Sequence, residues 1–140
     1  MRTNILMVED NPSDVYFWRE LFRDVPNMPE VHWVKDGTEA LNYICQRDQF
    51  KNVAPPDIIL LDLNMPRLDG YQLLQLLKNE ERTAHIPVII FTTSRDESDR
   101  SQCADLGAAL FLTKPSGVEE SKKLVSQLVD SEFPRLVKSA

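Results

Sequence analysis

The stretch IILLDLNMP, Ile58 to Pro66, decides the fold. Four consecutive aliphatics, Ile58 to Leu61, read as a strand buried on both faces, and such strands belong to parallel sheets covered by helices. The run then delivers Asp62, a carboxylate at the mouth of a dry core.

Outward from that strand, short aliphatic runs alternate with longer amphipathic ones. Asn4 to Val8, Val31 to Val34, Asp57 to Leu61, Val88 to Phe91 and Leu110 to Leu112 read as five strands. Pro12 to Arg23 reads as a helix behind Asn11 as N-cap, with Pro12 at the first helical position and Phe17, Trp18, Leu21 and Val25 at helical spacing. Thr38 to Gln46 and Tyr71 to Asn79 gather Ala40, Leu41, Ile44 and Cys45, and Leu73, Leu74 and Leu77, on one face each. A fourth helix from about Asp96 to Leu106 has few apolar residues; Ser94 with Glu97 predicts a capping box, and Gly107 a left-handed stop. The fifth, Val118 to Phe133, ends at Pro134. Leu136 and Val137 beyond it are expected to be exposed, packing on a partner or fraying, with fraying the default for a terminus.

Strict alternation of strand and helix predicts an α/β fold: a doubly wound, five-stranded parallel sheet with helices on both faces. At 140 residues the chain suits one domain, with no output domain expected after Ala140. The net charge of −6, with no local cluster of Lys and Arg, argues against direct binding to nucleic acid or an anionic membrane. Aliphatic runs fall far short of the roughly 20 residues of a membrane helix. The N-terminus has no secretion-signal pattern, so a cytoplasmic location is expected. Cys45 and Cys103 have neither disulfide nor zinc spacing, and His32 and His85 lack partners at ligand or triad spacing.

In doubly wound sheets, ligands gather outside the carboxyl ends of the strands. There the chain places Glu9 and Asp10, Asp62, Thr92 and Thr93, and Lys114. Singly each has a bland reading: acids at a helix N-terminus, a β-branched strand residue, a lysine before a turn. Together they set a cation site beside an anion site. Three carboxylates within several ångströms repel by roughly 3 kcal/mol per pair at an effective dielectric of about 20, which a divalent cation relieves. Oxygen donors with positions open to water suit Mg2+, whose usual company is phosphate. A carboxylate beside Mg2+, a hydroxyl and an ammonium can act as nucleophile toward a phosphoryl group, so Asp62 is expected to become an aspartyl phosphate. Lys114 would pair with a phosphoryl oxygen, Thr92 would donate a hydrogen bond, and the backbone carbonyl of Asn64 would complete the metal shell.

These residues resemble the response-regulator receiver domains of two-component signalling, CheY-like proteins with a flavodoxin-like (βα)5 fold. The resemblance rests on VEDNP ending at Pro12, LLDLNMPRLDG from Leu60 to Gly70, FTTS from Phe91 to Ser94 and TKP from Thr113 to Pro115. It implies a sensor histidine kinase as phosphodonor, Glu9, Asp10 and Asp62 as metal ligands, Thr92 and Phe111 as switch residues, and a cis Lys114–Pro115 bond. Glu9 stands where Asp is more frequent, and Phe111 lacks the hydroxyl of the tyrosine found in other members. The segment from Gln46 to Pro56 is most similar to small regulators that partner bacterial phytochrome-type kinases. A downstream protein target and a homodimer follow from the same resemblance.

Three other readings compete with this one. A haloacid-dehalogenase-type enzyme needs a second acid two residues beyond the nucleophile, where Asn64 stands. A flavin carrier needs a hydroxyl-rich loop after strand one, where Glu9 and Asp10 would repel its phosphate. A phosphate-independent interaction module has no need of the intact acid, hydroxyl and lysine set.

Overall fold

The computed structural model describes residues 2–65 and 68–139, so Pro66 and Arg67 of the central motif lie outside the described residues. Five strands, β1 (Asn4–Val8), β2 (Glu30–Val34), β3 (Ile58–Leu61), β4 (Val88–Thr92) and β5 (Leu110–Thr113), form one parallel sheet in the order β2-β1-β3-β4-β5. The helices are α1 (Pro12–Arg23), α2 (Gly37–Ile44), α3 (Gly70–Asn79), α4 (Glu97–Asp105), α5 (Val118–Gln127) and α6 (Phe133–Ser139). The long connection before β3 holds one 3-10 turn, Asp48–Phe50.

Strand alternation sorts the core into two layers. Ile5, Met7, Ile58, Leu60, Ile89 and Phe91 face one side, where Val15, Trp18 and Phe22 of α1 and Val125 of α5 cover them. Leu6, Val8, Ile59, Leu61 and Ile90 face the other, under Ala40, Leu73, Leu74 and Leu77 of α2 and α3. α4 contributes a single buried residue, Cys103, in keeping with its sparse apolar content.

Registry aligns the strand ends. Val8 pairs with both Val34 and Leu61, Leu61 with Ile90, and Thr92 with Thr113. Strand order reverses between β1 and β3, so the crevice expected of this fold opens above those two strands, where Glu9 and Asp62 follow.

Several expectations need correction. Asp96, not Ser94, caps α4: its carboxylate accepts from the Ser98 amide at 3.0 Å, while the Ser94 hydroxyl is engaged by Asp99 at 2.6 Å. No peptide bond among the described residues is cis, so Lys114–Pro115 is trans, the isomer that X-Pro bonds intrinsically favour. The chain does not leave its helix at Pro134. A π-helical turn, Leu128–Glu132, shifts the hydrogen-bond phase, and Pro134 enters as the second residue of α6, where a missing N–H costs little. Phe133 stacks with Phe22 at 6.0 Å and Leu136 is 7% exposed, so this last helix is docked on α1 rather than frayed.

Leu136→Ala should therefore destabilise the protein by about 2 kcal/mol, within the range for large-to-small core substitutions. Chemical denaturation checks this, and a change below about 0.5 kcal/mol would mean that α6 does not pack in solution.

Candidate functional site

The site is built from five chain crossings at one end of the sheet. Glu9 leaves β1 with its amide donating to the Val34 carbonyl at 3.1 Å, and the Trp33 indole N–H donates to the Glu9 carbonyl at 2.6 Å. These bonds fix the Glu9 backbone between β1 and the β2 edge, and its side chain points into the protein, 3% exposed. Asp62 is held by its own amide, which donates to the Val8 carbonyl at 3.1 Å, and by the Asn64 amide, which donates to Asp62 Oδ1 at 3.2 Å.

The Asp-Gly that opens α3 also positions the carboxylate. Asp69 caps the helix in a reciprocal box with Gln72, its Oδ1 accepting from the Gln72 amide at 2.9 Å. A Cβ on Gly70 would lie 2.6 Å from the Asp62 carbonyl oxygen and 2.6 Å from Leu63 Cα, so only glycine lets α3 start against the backbone of the acid.

Glu9, Asp10 and Asp62 each offer one oxygen, all within 4.8 Å of one another. Lys114 joins them: its ammonium is bonded to Glu9 Oε1, lies 3.7 Å from Asp62 Oδ2, and donates to Asp14 Oδ2 at 3.2 Å. Thr92 is fully buried at the end of β4, and its carbonyl accepts from the Lys114 amide at 2.7 Å. Glu9, Asp10, Asp62, Thr92 and Lys114, singled out from sequence, thus gather at aligned strand ends. Asn64 is exposed beside them and Asp10 faces solvent. Phe111 stands apart in the α3 and α4 layer, already buried at 9% exposure beneath the Arg100 guanidinium, 4.9 Å from the ring centre. An inward excursion of this ring has little surface left to bury.

Asp14, Trp33 and the pair Tyr71 and Asp99 escaped the sequence reading. Asp14 reads as an acid in the first turn of a helix, and its partner lies 100 residues away. A cavity of about 380 Å³, lined by Asp14, Thr93, Arg95, Lys114 and Ser116 among others, opens beside the lysine.

The electrostatics point to a cation. Burial pushes the Glu9 carboxyl up to about 7, with Lys114 opposing the rise and the charge of Asp62 adding to it. Burial works against the Lys114 ammonium, but the bond to Glu9 and the charges of Asp62 and Glu9 prevail and hold its pKa above the ordinary lysine value. Glu9, Asp14 and Asp62 lie within 3.7 Å of the one ammonium and Asp10 stands beside them, so an excess of negative charge rests on hard oxygen donors in a cluster of a size that a divalent ion spans. Glu9, Asp10 and Asp62 fit such an ion.

A sequence model of the response regulator receiver domain matches residues 5–126. Response regulator Rcp1 from Synechocystis sp. is 32% identical over 121 residues, spanning 86% of this chain and 82% of that protein. The crystal structure of the phosphorylated cyanobacterial phytochrome response regulator RcpA is similar with a TM-score of 0.85 at 32% identity, covering 94% of this chain and 96% of that one. The Mn(2+)-bound form of Rcp1 gives a TM-score of 0.85 at 30% identity, covering 94% of each chain.

The raised Glu9 value sets a pH dependence. Between its ordinary value of 4.5 and about 7 this group binds more protons folded than unfolded, so its contribution to stability falls as pH rises across that window. A divalent cation competes with that proton. Mg2+ or Mn2+ at ten times its dissociation constant should stabilise the fold by about 1.4 kcal/mol near pH 8, and at the same concentration by less as pH falls below about 7. Thermal melts check this; a shift independent of pH would contradict the assignment of Glu9 to the metal site.

Proposed function

The chain belongs to the response regulator receiver domain family of two-component signalling, and from that membership we propose that Asp62 accepts a phosphoryl group from the phosphohistidine of a sensor histidine kinase. The observation that carries this reading is the convergence of three carboxylate oxygens within 4.8 Å, with the Lys114 ammonium 3.7 Å from Asp62.

A carboxylate oxygen of Asp62 attacks phosphorus, the new O–P bond forming as the P–N bond breaks and its electron pair leaves with the imidazole. Lys114, already shared among the acids, neutralises oxygen charge as the group arrives, and the Thr92 hydroxyl donates to another phosphoryl oxygen. Glu9, Asp10, Asp62 and the Asn64 backbone carbonyl would hold Mg2+, which when bound would supply further positive charge. With a small acyl phosphate as donor the same residues act without a kinase, so the protein catalyses its own phosphorylation and, through water, its own dephosphorylation.

Asn64 separates this chemistry from phosphatase turnover, because an amide two residues beyond the nucleophile cannot deliver a proton to a leaving group. The signal is then read through the surface of α4 and β5. α4 is anchored by one buried side chain, so a rearrangement reaching from Thr92 to Phe111 can move it at small cost. The partners of this reading are a kinase of the phytochrome type, as similarity to Rcp1 and RcpA supports, a downstream protein target, and a second copy as homodimer. The protein acts in the cytoplasm, without binding nucleic acid or membrane; no described helix is long and apolar enough to cross a membrane.

Incubation with Mg2+ and acetyl phosphate, followed by intact mass, tests the assignment. One phosphoryl group should be gained, and lost from Asp62→Asn and from chelator-treated protein. Equal gain by Asp62→Asn would overturn it.

A further inference from the structure

Outside the acid cluster, one polar network has no part in the chemistry above. Tyr71, in the first turn of α3, donates its hydroxyl hydrogen to Asp99 Oδ1 on α4. The other Asp99 oxygen accepts from the Ser94 hydroxyl at 2.6 Å, and the Ser94 oxygen accepts in turn from the Asp96 amide at 3.1 Å. The Ser94 carbonyl accepts from the Thr113 hydroxyl on β5 at 2.7 Å. The Ser94 amide donates to Thr92 Oγ1 at 3.4 Å. Ser94 thus ties α3, α4 and β5 to the hydroxyl that the phosphoryl group needs.

We propose that Tyr71 and Asp99 are positioning residues for phosphorylation of Asp62: acting through Ser94, they latch the loop that carries Thr92 in its resting place. This rests on the reading of Asp62 as phosphoacceptor. α4 buries only Cys103, so packing does little to locate it, and charge-assisted hydrogen bonds take over that role. Arg100 adds a weaker tie, donating to the Phe111 carbonyl at 3.3 Å. The Thr92 oxygen accepts from the Ser94 amide, so a shift of that oxygen toward a phosphoryl group draws it away from Ser94. A latch that favours the resting arrangement opposes phosphorylation by the same factor that phosphorylation loosens the latch. Tyr71 follows Gly70, which brings the start of α3 against the Asp62 backbone, so the latch joins the helix beside the phosphoacceptor to α4.

The test compares wild type with Tyr71→Phe and Ser94→Ala, using Tyr16→Phe, an exposed tyrosine on α1, as control. Three quantities are read: the rate of phosphorylation by acetyl phosphate with Mg2+, the Mg2+ affinity by tryptophan fluorescence, and amide hydrogen exchange across Thr93 to Leu106 before phosphorylation. Both latch variants should be phosphorylated about fivefold faster or more, the lower bound of ordinary coupling, and exchange faster across that segment, with Mg2+ affinity within about twofold of wild type. Tyr16→Phe should change none of these. Unchanged or slower phosphorylation in Tyr71→Phe overturns the latch, as does a parallel loss of Mg2+ affinity. If wild type gains no phosphoryl group, the Asp62 reading fails and the positioning role with it, while exchange still shows whether Tyr71 holds the loop: faster in Tyr71→Phe supports that tie, unchanged overturns it.

Discussion

Excess carboxylate at the end of a dry sheet is the constraint on which the rest of the structure depends. Glu9 and Asp62 are nearly buried, Asp10 and Asp14 stand at their side, and Lys114 is the cation that Glu9, Asp14 and Asp62 share. Such a cluster persists only if the fold holds the acids together more strongly than they repel. The holding is done by backbone: Val8 ties Asp62, Val34 ties Glu9, and Gly70 lets a helix start press against the Asp62 peptide. The two apolar layers make that backbone rigid, so the unfavourable charge is met by a proton on Glu9 or by a cation.

Much of this was legible because its signals are local. Four aliphatics before Asp62 announce a central strand, Asn11 and Pro12 fix the start of α1, and Gly107 adopts the left-handed conformation, with φ of 98°, that ends α4. The acids, Thr92 and Lys114 were legible through topology, since parallel strands bring their carboxyl ends to one edge. The features that escaped depend on distant partners. Nothing near Asp14 marks its bond to Lys114, and nothing near Trp33 marks its bond to the Glu9 carbonyl. Tyr71 and Asp99 lie 28 residues apart and at no strand end. The continuation through Pro134 escaped because a π-helical turn carries no sequence signature, and docking of Phe133 on Phe22 is decided only in the folded core.

The same contrast separates the rigid half of the site from the half able to move. β1 and β3 are buried strands locked on both sides, and they carry the acids. Thr92 ends β4 and Lys114 follows β5, the two strands that flank α4 in the chain, and α4 has one buried anchor and a set of polar ties. Under the proposed phosphorylation of Asp62, the added charge would act on a weakly packed element held by hydrogen bonds, the arrangement in which a local event becomes a change of surface. Phe111, already covered by Arg100, is better placed to report the position of α4 than to drive it.

The central claim is that Asp62 is the atom-bearing acceptor, chosen over its neighbours Glu9, Asp10 and Asp14 by geometry. Borohydride reduction of the phosphorylated protein, followed by peptide sequencing, tests it most directly, because reduction turns an aspartyl phosphate into homoserine and leaves free carboxylates untouched. Homoserine at position 62 alone is the predicted result. Reduction at position 10 or 14, with position 62 intact, would contradict it.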